Sequence, residues 1–182
     1  RVRQAVPVTR EAAARPFAVR PAAAADVAGT VELFVAVAGE GRWIGREVVD
    51  RAERHAELTA ALASADNAQL VAEAGGEVVG HLGATLRPYG VAELGMMVAA
   101  AWRGVGVGGA LLGAGIDWAR GAGAHKVALQ VWPHNEAALR LYRRFGFVEE
   151  GRLRRHYRRR NGELWDAVVM GLLLDEGSRP GR

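Results

Sequence analysis

Between Glu93 and Ala119 the chain runs ELGMMVAAAWRGVGVGGALLGAGIDWA, and no other stretch narrows its possible folds as much. Leu94 to Val98 reads as an apolar strand. Leu112, Ile116 and Ala119 then fall at i, i+4 and i+7, the period of a helix. Between them lie Arg103, Gly104, Val105, Gly106, Val107, Gly108 and Gly109. A glycine-rich turn from strand to helix leaves several backbone N–H groups without partners, and the helix start adds a positive dipole end. Such a turn is a seat for a phosphate or pyrophosphate, approached closely because glycine has no side chain.

The kind of phosphate ligand is narrowed by what surrounds the glycines. A P-loop ends in Gly-Lys-Ser/Thr, whereas this turn ends Gly108-Gly109-Ala110. The dinucleotide pattern GxGxxG is met by Gly104, Gly106 and Gly109. That fold places an acidic residue at the end of the next strand, and the run Lys126 to Trp132 continues Pro133-His134 instead.

Two motifs together resemble the GNAT N-acetyltransferase superfamily. Arg103-x-x-Gly106-x-Gly108 is similar to its acyl-coenzyme A pyrophosphate loop. Asn135-x-x-Ala138-x-x-x-Tyr142-x-x-x-Gly146-Phe147 is similar to its second signature. The likeness is sharp from Glu93 to Phe147 and extends more loosely from Phe17 to Leu174. It implies an α/β (α+β) GNAT fold: a central mixed, mostly antiparallel sheet of about seven strands, flanked by about four helices and splayed between the fourth and fifth strands. It also implies acetyl-CoA as co-substrate, a primary amine as acceptor and direct attack in a ternary complex, with no metal required.

Composition fits a folded globule. Half of the 182 residues are apolar, enough for a core in one domain. The chain lacks cysteine, which excludes disulfides, thiolate catalysis and cysteine zinc sites. Its net charge of +4 is modest, and all but Lys126 of its 24 basic residues are arginine. No apolar run approaches the ~20 residues of a membrane span, and residues 1–16 lack the apolar centre of a signal peptide. A cytoplasmic protein is therefore the expectation.

The periodicities give an order of βααβββαβαββ. Residues 1–16 read as a mobile arm, 17–174 as one domain and 175–182 as a tail. Phe17 to Pro21 forms a first strand. Asp26 caps a helix to Ala38, and Glu47 to Ala63 makes a second. Ala68–Ala74 and Glu77–Leu86 form a hairpin about Gly75-Gly76. After the glycine turn and its helix, Lys126–Trp132 is a buried strand and Asn135–Phe145 an amphipathic helix. Two strands about Asn161-Gly162 complete the domain. A two-residue turn there sets Asp166 opposite Tyr157.

The resemblance assigns roles residue by residue. The pyrophosphate falls to Arg103 and the main chain of Gly104, Val105, Gly106, Val107, Gly108 and Gly109. The pantetheine arm falls to backbone groups near Met97 and Val98, one of whose N–H groups also steadies an oxyanion. Asn135 and Ala138 lie beside the cofactor, although Asn135 is equally a helix cap. Tyr142 is the proton donor to the departing thiolate. Glu93 shares a strand face with Gly95 and Met97 and is the candidate base, ahead of His81 and His134. Arg42 and Trp43 occupy the loop that sets acceptor choice in the family. The run Arg152–Arg160 resembles a nucleic-acid patch in composition. On a strand its arginines alternate between faces, so a solvated edge strand is the plainer reading.

Expected partners are acetyl-CoA and a small-molecule primary amine, or a peptide amine. A homodimer is left open; neither membrane nor nucleic acid is expected. Two further readings stand beside the small-molecule enzyme: an acetyltransferase of protein N-termini or lysines, and an acyl-CoA-binding module without catalysis.

Overall fold

The computed structural model describes residues 16–174; the expected arm and tail otherwise lie outside the described residues. Seven strands form one sheet: β1 (Ala18–Pro21), β2 (Asn67–Ala74), β3 (Glu77–Leu86), β4 (Val91–Val98), β5 (Lys126–Val131), β6 (Val148–Arg158) and β7 (Leu164–Leu173). Their order across the sheet is β1-β2-β3-β4-β5-β7-β6. Four α-helices accompany them: α1 (Val27–Gly39), α2 (Arg51–Ala63), α3 (Val107–Gly121) and α4 (Glu136–Arg144). The element order is the one the periodicities give.

Helices α3 and α4 share one face of the sheet. Leu111, Leu112, Ile116 and Ala119 of α3 join the main core with Leu70, Ala72, Leu82 and Ala84. The seat is tight at two glycines. A Cβ on Gly80 would come within 2.9 Å of Leu111 and Val107, and one on Gly115 within 2.9 Å of Leu82. Leu139 and Tyr142 turn α4 into the same core. On the opposite face, Leu33 and Val37 of α1 cluster with Met97, while Val27 and Val31 pack on Leu58 of α2.

All neighbouring strands pair antiparallel except β4 and β5, which run parallel. Their pairing ends at Glu93 and Ala128, although β4 continues to Val98 and β5 to Val131. Beyond that point the two strands part.

Three local expectations are corrected. Helix α2 starts at Arg51 rather than Glu47, because Asp50 Oδ1 accepts the Glu53 N–H at 2.9 Å and caps the helix there. Asp26 precedes α1 but does not cap it. Its carboxylate takes Arg20 at 2.7 and 2.8 Å and the Ala23 N–H at 2.7 Å. In the last hairpin Arg159 N–H donates to Glu163 O, so the loop holds three residues and Gly162 has φ +87°. Tyr157 consequently faces Trp165, not Asp166. Asp166 still balances an arginine, Arg152, at 2.7 Å.

Candidate active site

The glycine turn is built as a cradle. Gly104 and Gly106 have φ of +78° and +100°, a region costly for side-chain-bearing residues. A Cβ at either would meet nothing within 4 Å, so the space above them is open. Gly106 stands as the N-cap of α3, and the first return bond of that helix is Ala110 N–H to Gly106 O at 3.1 Å. Among the described residues, the N–H groups of 104–109 have no backbone acceptor. Gly104, Gly106, Gly108 and Gly109 line a cavity of about 360 Å³, together with Val98, Asn135, Ala138 and Leu141. Val105 is exposed beside it, while the side chain of Val107 is buried in the core.

Arg103 lines that cavity but is not free. Its guanidinium forks onto Glu40 at 2.7 and 2.5 Å, and its Nε donates to Val98 O at 3.0 Å. The arginine holds the Glu40 carboxyl below its ordinary pKa. Trp43 Nε1 donates to the same carboxylate.

Ladder phase decides which β4 groups face the gap. Ala99 N–H donates to Val79 O, and the β3–β4 register carries that pairing phase to Met97–His81 and Gly95–Gly83. In an antiparallel pair the intervening residues point their main-chain groups the other way. Met96 and Val98 therefore turn theirs toward β5, where the pairing has stopped. The expectation placed Met97 beside Val98 in this role; the main chain of Met97 belongs to β3, and its side chain lines the gap.

A second cavity of about 420 Å³ lies on the α1–α2 face. Both cavities are lined by Trp43, Ile44, Met96, Met97, Asn135 and Tyr142. They meet at the parted strands.

Tyr142 sits at this junction and is held from its own backbone. Helix α4 ends in a Schellman turn: Phe147 N–H donates to Tyr142 O at 3.1 Å and Gly146 N–H to Arg143 O at 3.0 Å, with Gly146 at φ +91°. The Phe147 ring packs on Tyr142 at 5.7 Å. Burial pushes the phenol up to about 12, so it keeps its proton at neutral pH. Among the described residues, none hydrogen-bonds its hydroxyl. At the start of α4, Asn135 Oδ1 accepts the Ala138 N–H at 3.2 Å, which leaves its amide N–H groups for the cavities.

The other candidates are placed differently. Glu93 lines neither cavity: Arg87 takes its carboxylate at 2.6 and 2.8 Å, and the Tyr89 hydroxyl reaches it at 3.3 Å. The turn that brings Arg87 back over β4 thus removes the expected base from the site. His81 does line the second cavity and is hydrogen-bonded to Gln69 Oε1 at 2.8 Å. Burial, with a smaller push from Arg54, lowers it to about 4, so it is neutral at physiological pH. His134 lies outside both cavities, bonded to Arg42 O at 2.9 Å.

Sequence reading missed Ile44, Met96, Arg54, Gln69 and Thr85 as lining residues. The strand period places Gln69 and Thr85 on one face with Asn67, Gly83 and His81, but only the register shows that this face is hollow. Among the described residues, no group of His, Cys, Asp and Glu could hold a metal ion, and no helix is long and apolar enough to cross a membrane.

Comparison with known proteins agrees with this geometry. The model described as Acetyltransferase (GNAT) family matches residues 53–147, and the chain belongs to this family of enzymes, which use acetyl-CoA. It is 36% identical over 110 residues to the L-amino acid N-acetyltransferase AaaT of Escherichia coli, covering 56% of this chain and 65% of that protein. It is 31% identical over 163 residues to an L-methionine sulfoximine/L-methionine sulfone acetyltransferase of Pseudomonas paraeruginosa, covering 86% and 94%. The crystal structure of a ribosomal-protein-alanine N-acetyltransferase from Brucella melitensis superposes with a TM-score of 0.79 at 29% identity, covering 86% of this chain and 99% of that one. The seven-stranded sheet with its parallel β4–β5 splay is the GNAT fold.

Proposed function

We propose that this protein moves the acetyl group of acetyl-CoA to the amine of a small, carboxylate-bearing molecule of the amino-acid type, by direct attack in a ternary complex. One observation carries the reading: two cavities of similar size share Tyr142, with Met96, Met97 and Asn135, in their walls. One suits a diphosphate with an amide tail, the other an amine.

Acetyl-CoA supplies an activated thioester. The N–H groups of 104–109 bind its diphosphate, aided by the α3 dipole. The main chain of Met96 and Val98 pairs with the pantetheine amides as a partial extra strand. The Val98 N–H, turned toward the same gap, is the donor assigned to the charge that grows on the carbonyl oxygen. Tyr142, kept protonated by burial, donates toward the departing sulfur. With Glu93 turned away and His81 a weak base, the acceptor loses its proton to water. An α-amino group, with a pKa near ~8, needs less help than a lysine near ~10.4.

Arg54 supports a carboxylate-bearing acceptor. It lines the acceptor cavity, stacked over Phe34 at 3.6 Å. Among the described residues, only its Nη1 is hydrogen-bonded, to Glu57 Oε2 at 2.7 Å. The relatives named for L-amino acid and L-methionine sulfone acetylation point the same way.

The test is release of free thiol from acetyl-CoA against a panel of free amino acids, polyamines, and peptides with free N-termini or lysines. Free α-amino acids should give the highest kcat/KM. A peptide as the best acceptor would replace this reading with a protein acetyltransferase. Thiol release at background with every amine, despite acetyl-CoA binding, would leave a non-catalytic binding module.

A further inference from the structure

The floor of the acceptor cavity is bare at one place. Gly83 of β3 and Gly95 of β4 face each other directly in the register, and both line the cavity. Their same-face neighbours carry side chains: His81 opposite Met97 on one side, Thr85 opposite Glu93 on the other. The two glycines therefore make a step down in the middle of the sheet. A Cβ on Gly95 would meet nothing within 4 Å. One on Gly83 would meet first the Gln69 amide, at 3.4 Å, and the His81 ring, at 3.5 Å, ordinary contact distances. Neither glycine has a positive φ, so the backbone does not require glycine at either position. Glycine inside a strand weakens it relative to alanine, and a common reason for keeping it is close approach by a ligand.

The walls around this step are uncharged. From β2 it is faced by the Gln69 amide, whose Oε1 is taken by His81. From β3 come the His81 ring and Thr85, the latter donating to Asn67 Oδ1 at 2.7 Å. Met97 stands on β4, Phe34 on α1, and Leu58 and Ala61 on α2. Among the described residues lining the cavity, the charged ones are Arg54 and Glu57. Glu57 is taken by Arg54 at 2.7 Å and by Arg46 at 3.1 Å, and the rest of the Arg54 guanidinium is the part assigned to the acceptor's carboxylate, so neither is left for a charged side chain. A charged chain laid on the glycines would lose water without gaining a counter-ion, which is costly in a confined site.

We propose that the Gly83–Gly95 pair is the seat of the acceptor's side chain, that it sets how long that chain can be, and that it takes an uncharged one. This rests on the N-acetyltransferase reading and adds which acceptors the site prefers. Arg54 holds the carboxylate and the amine points to the junction of the two cavities; the step in the sheet receives what distinguishes one acceptor from another.

The experiment compares kcat/KM for alanine, norvaline, methionine, glutamine, lysine and glutamate in the parent protein and in Gly95→Ala and Gly95→Val. In the parent, methionine and glutamine should exceed lysine and glutamate at least tenfold. In Gly95→Val the ratio of methionine to alanine should fall tenfold or more, with Gly95→Ala between. Calorimetric affinity for acetyl-CoA and the melting temperature identify any variant that has failed to fold, and Gly95→Ala alone then decides. A methionine-to-alanine ratio within twofold of the parent in the folded variants would overturn the seat. So would a parent that prefers lysine or glutamate. A parent inert toward every amine would instead overturn the N-acetyltransferase reading.

Discussion

Phe147 grips Tyr142 twice: its N–H donates to the Tyr142 carbonyl at 3.1 Å, and its ring packs on the phenol at 5.7 Å. The helix terminator is thus also the device that fixes the donor. A phenol held this way can approach a sulfur at the cavity junction without being tied to another side chain. Tyr142→Phe keeps the ring and the turn and removes only the hydroxyl. It should lower kcat by about 10²–10³-fold, with acetyl-CoA affinity and melting temperature nearly unchanged. Phenolate absorbance gives a second readout. Tyr142 ionises only near 12 in the folded state against about 10 unfolded. Its contribution to stability is therefore intact below pH 10 and lost as pH rises from 10 to 12. One of the three tyrosines should titrate late, and that step should vanish in Tyr142→Phe. An unchanged kcat would remove the tyrosine from the chemistry.

The open space above Gly106 makes a different variant informative. Valine there is strained by the φ of +100°, at about 1–3 kcal/mol, and projects into the region assigned to the diphosphate. Acetyl-CoA affinity should fall at least tenfold by calorimetry. Gly162→Val provides the control. Gly162 has φ +87°, and a Cβ there would likewise meet nothing within 4 Å, but it lies in the β6–β7 turn. It should lose similar stability and keep its affinity. Equal affinity in Gly106→Val and the parent would place the diphosphate elsewhere.

What the sequence disclosed was what neighbouring residues decide together. The glycine cradle, the Gly146–Phe147 stop and the Asn135 cap each span a few positions. The period of two put Glu93 on the correct strand face, yet could not show that Arg87 folds back and captures it at 2.6 Å. Asn161-Gly162 gave the hairpin but not its three-residue loop, and one residue of register moved Asp166 away from Tyr157. The acceptor cavity was least legible. Its floor depends on Gly83 meeting Gly95, and its wall on Arg159 meeting Ile44 across 115 residues.

His81 offers a test of how dry the acceptor cavity floor is. The ring is 4% exposed, and burial lowers its pKa from 6.5 to about 4. The unfolded chain therefore takes up a proton that the folded chain refuses. Stability from this residue is complete above pH 6.5 and drains as pH falls toward 4. By pH 4.5 the loss should reach about 2–3 kcal/mol. Urea unfolding at pH 7.5 and 4.5 should show a loss larger by that amount in the parent than in His81→Gln, since the paired carboxylates contribute alike to both. Identical pH dependence in both proteins would mean that the ring is hydrated and free to ionise.

Arg159 shows why the basic run on β6 cannot be read as a single surface. Most of β6 is exposed at the sheet edge, but Arg159, just beyond it, is 3% exposed. Its Nη1 donates to the carbonyls of Ile44 and Gly45, and its Nη2 to that of Gly41, all at 3.1 Å. Glu47 pairs with it at 3.3 Å, and the Trp165 ring lies 4.2 Å beneath. It thereby positions the 41–47 loop, which carries the Trp43 and Ile44 walls of both cavities. Lysine cannot reproduce a planar fork shared among three carbonyls. Arg159→Lys and Arg159→Met should each lose about 2–4 kcal/mol in denaturant unfolding, because the carbonyls and Glu47 are left without their partner. In whatever fraction stays folded, KM for both acetyl-CoA and the acceptor should rise several-fold while kcat changes less, since the walls move and Tyr142 does not. Full stability in Arg159→Lys would show that the charge alone, and not the fork, holds the loop.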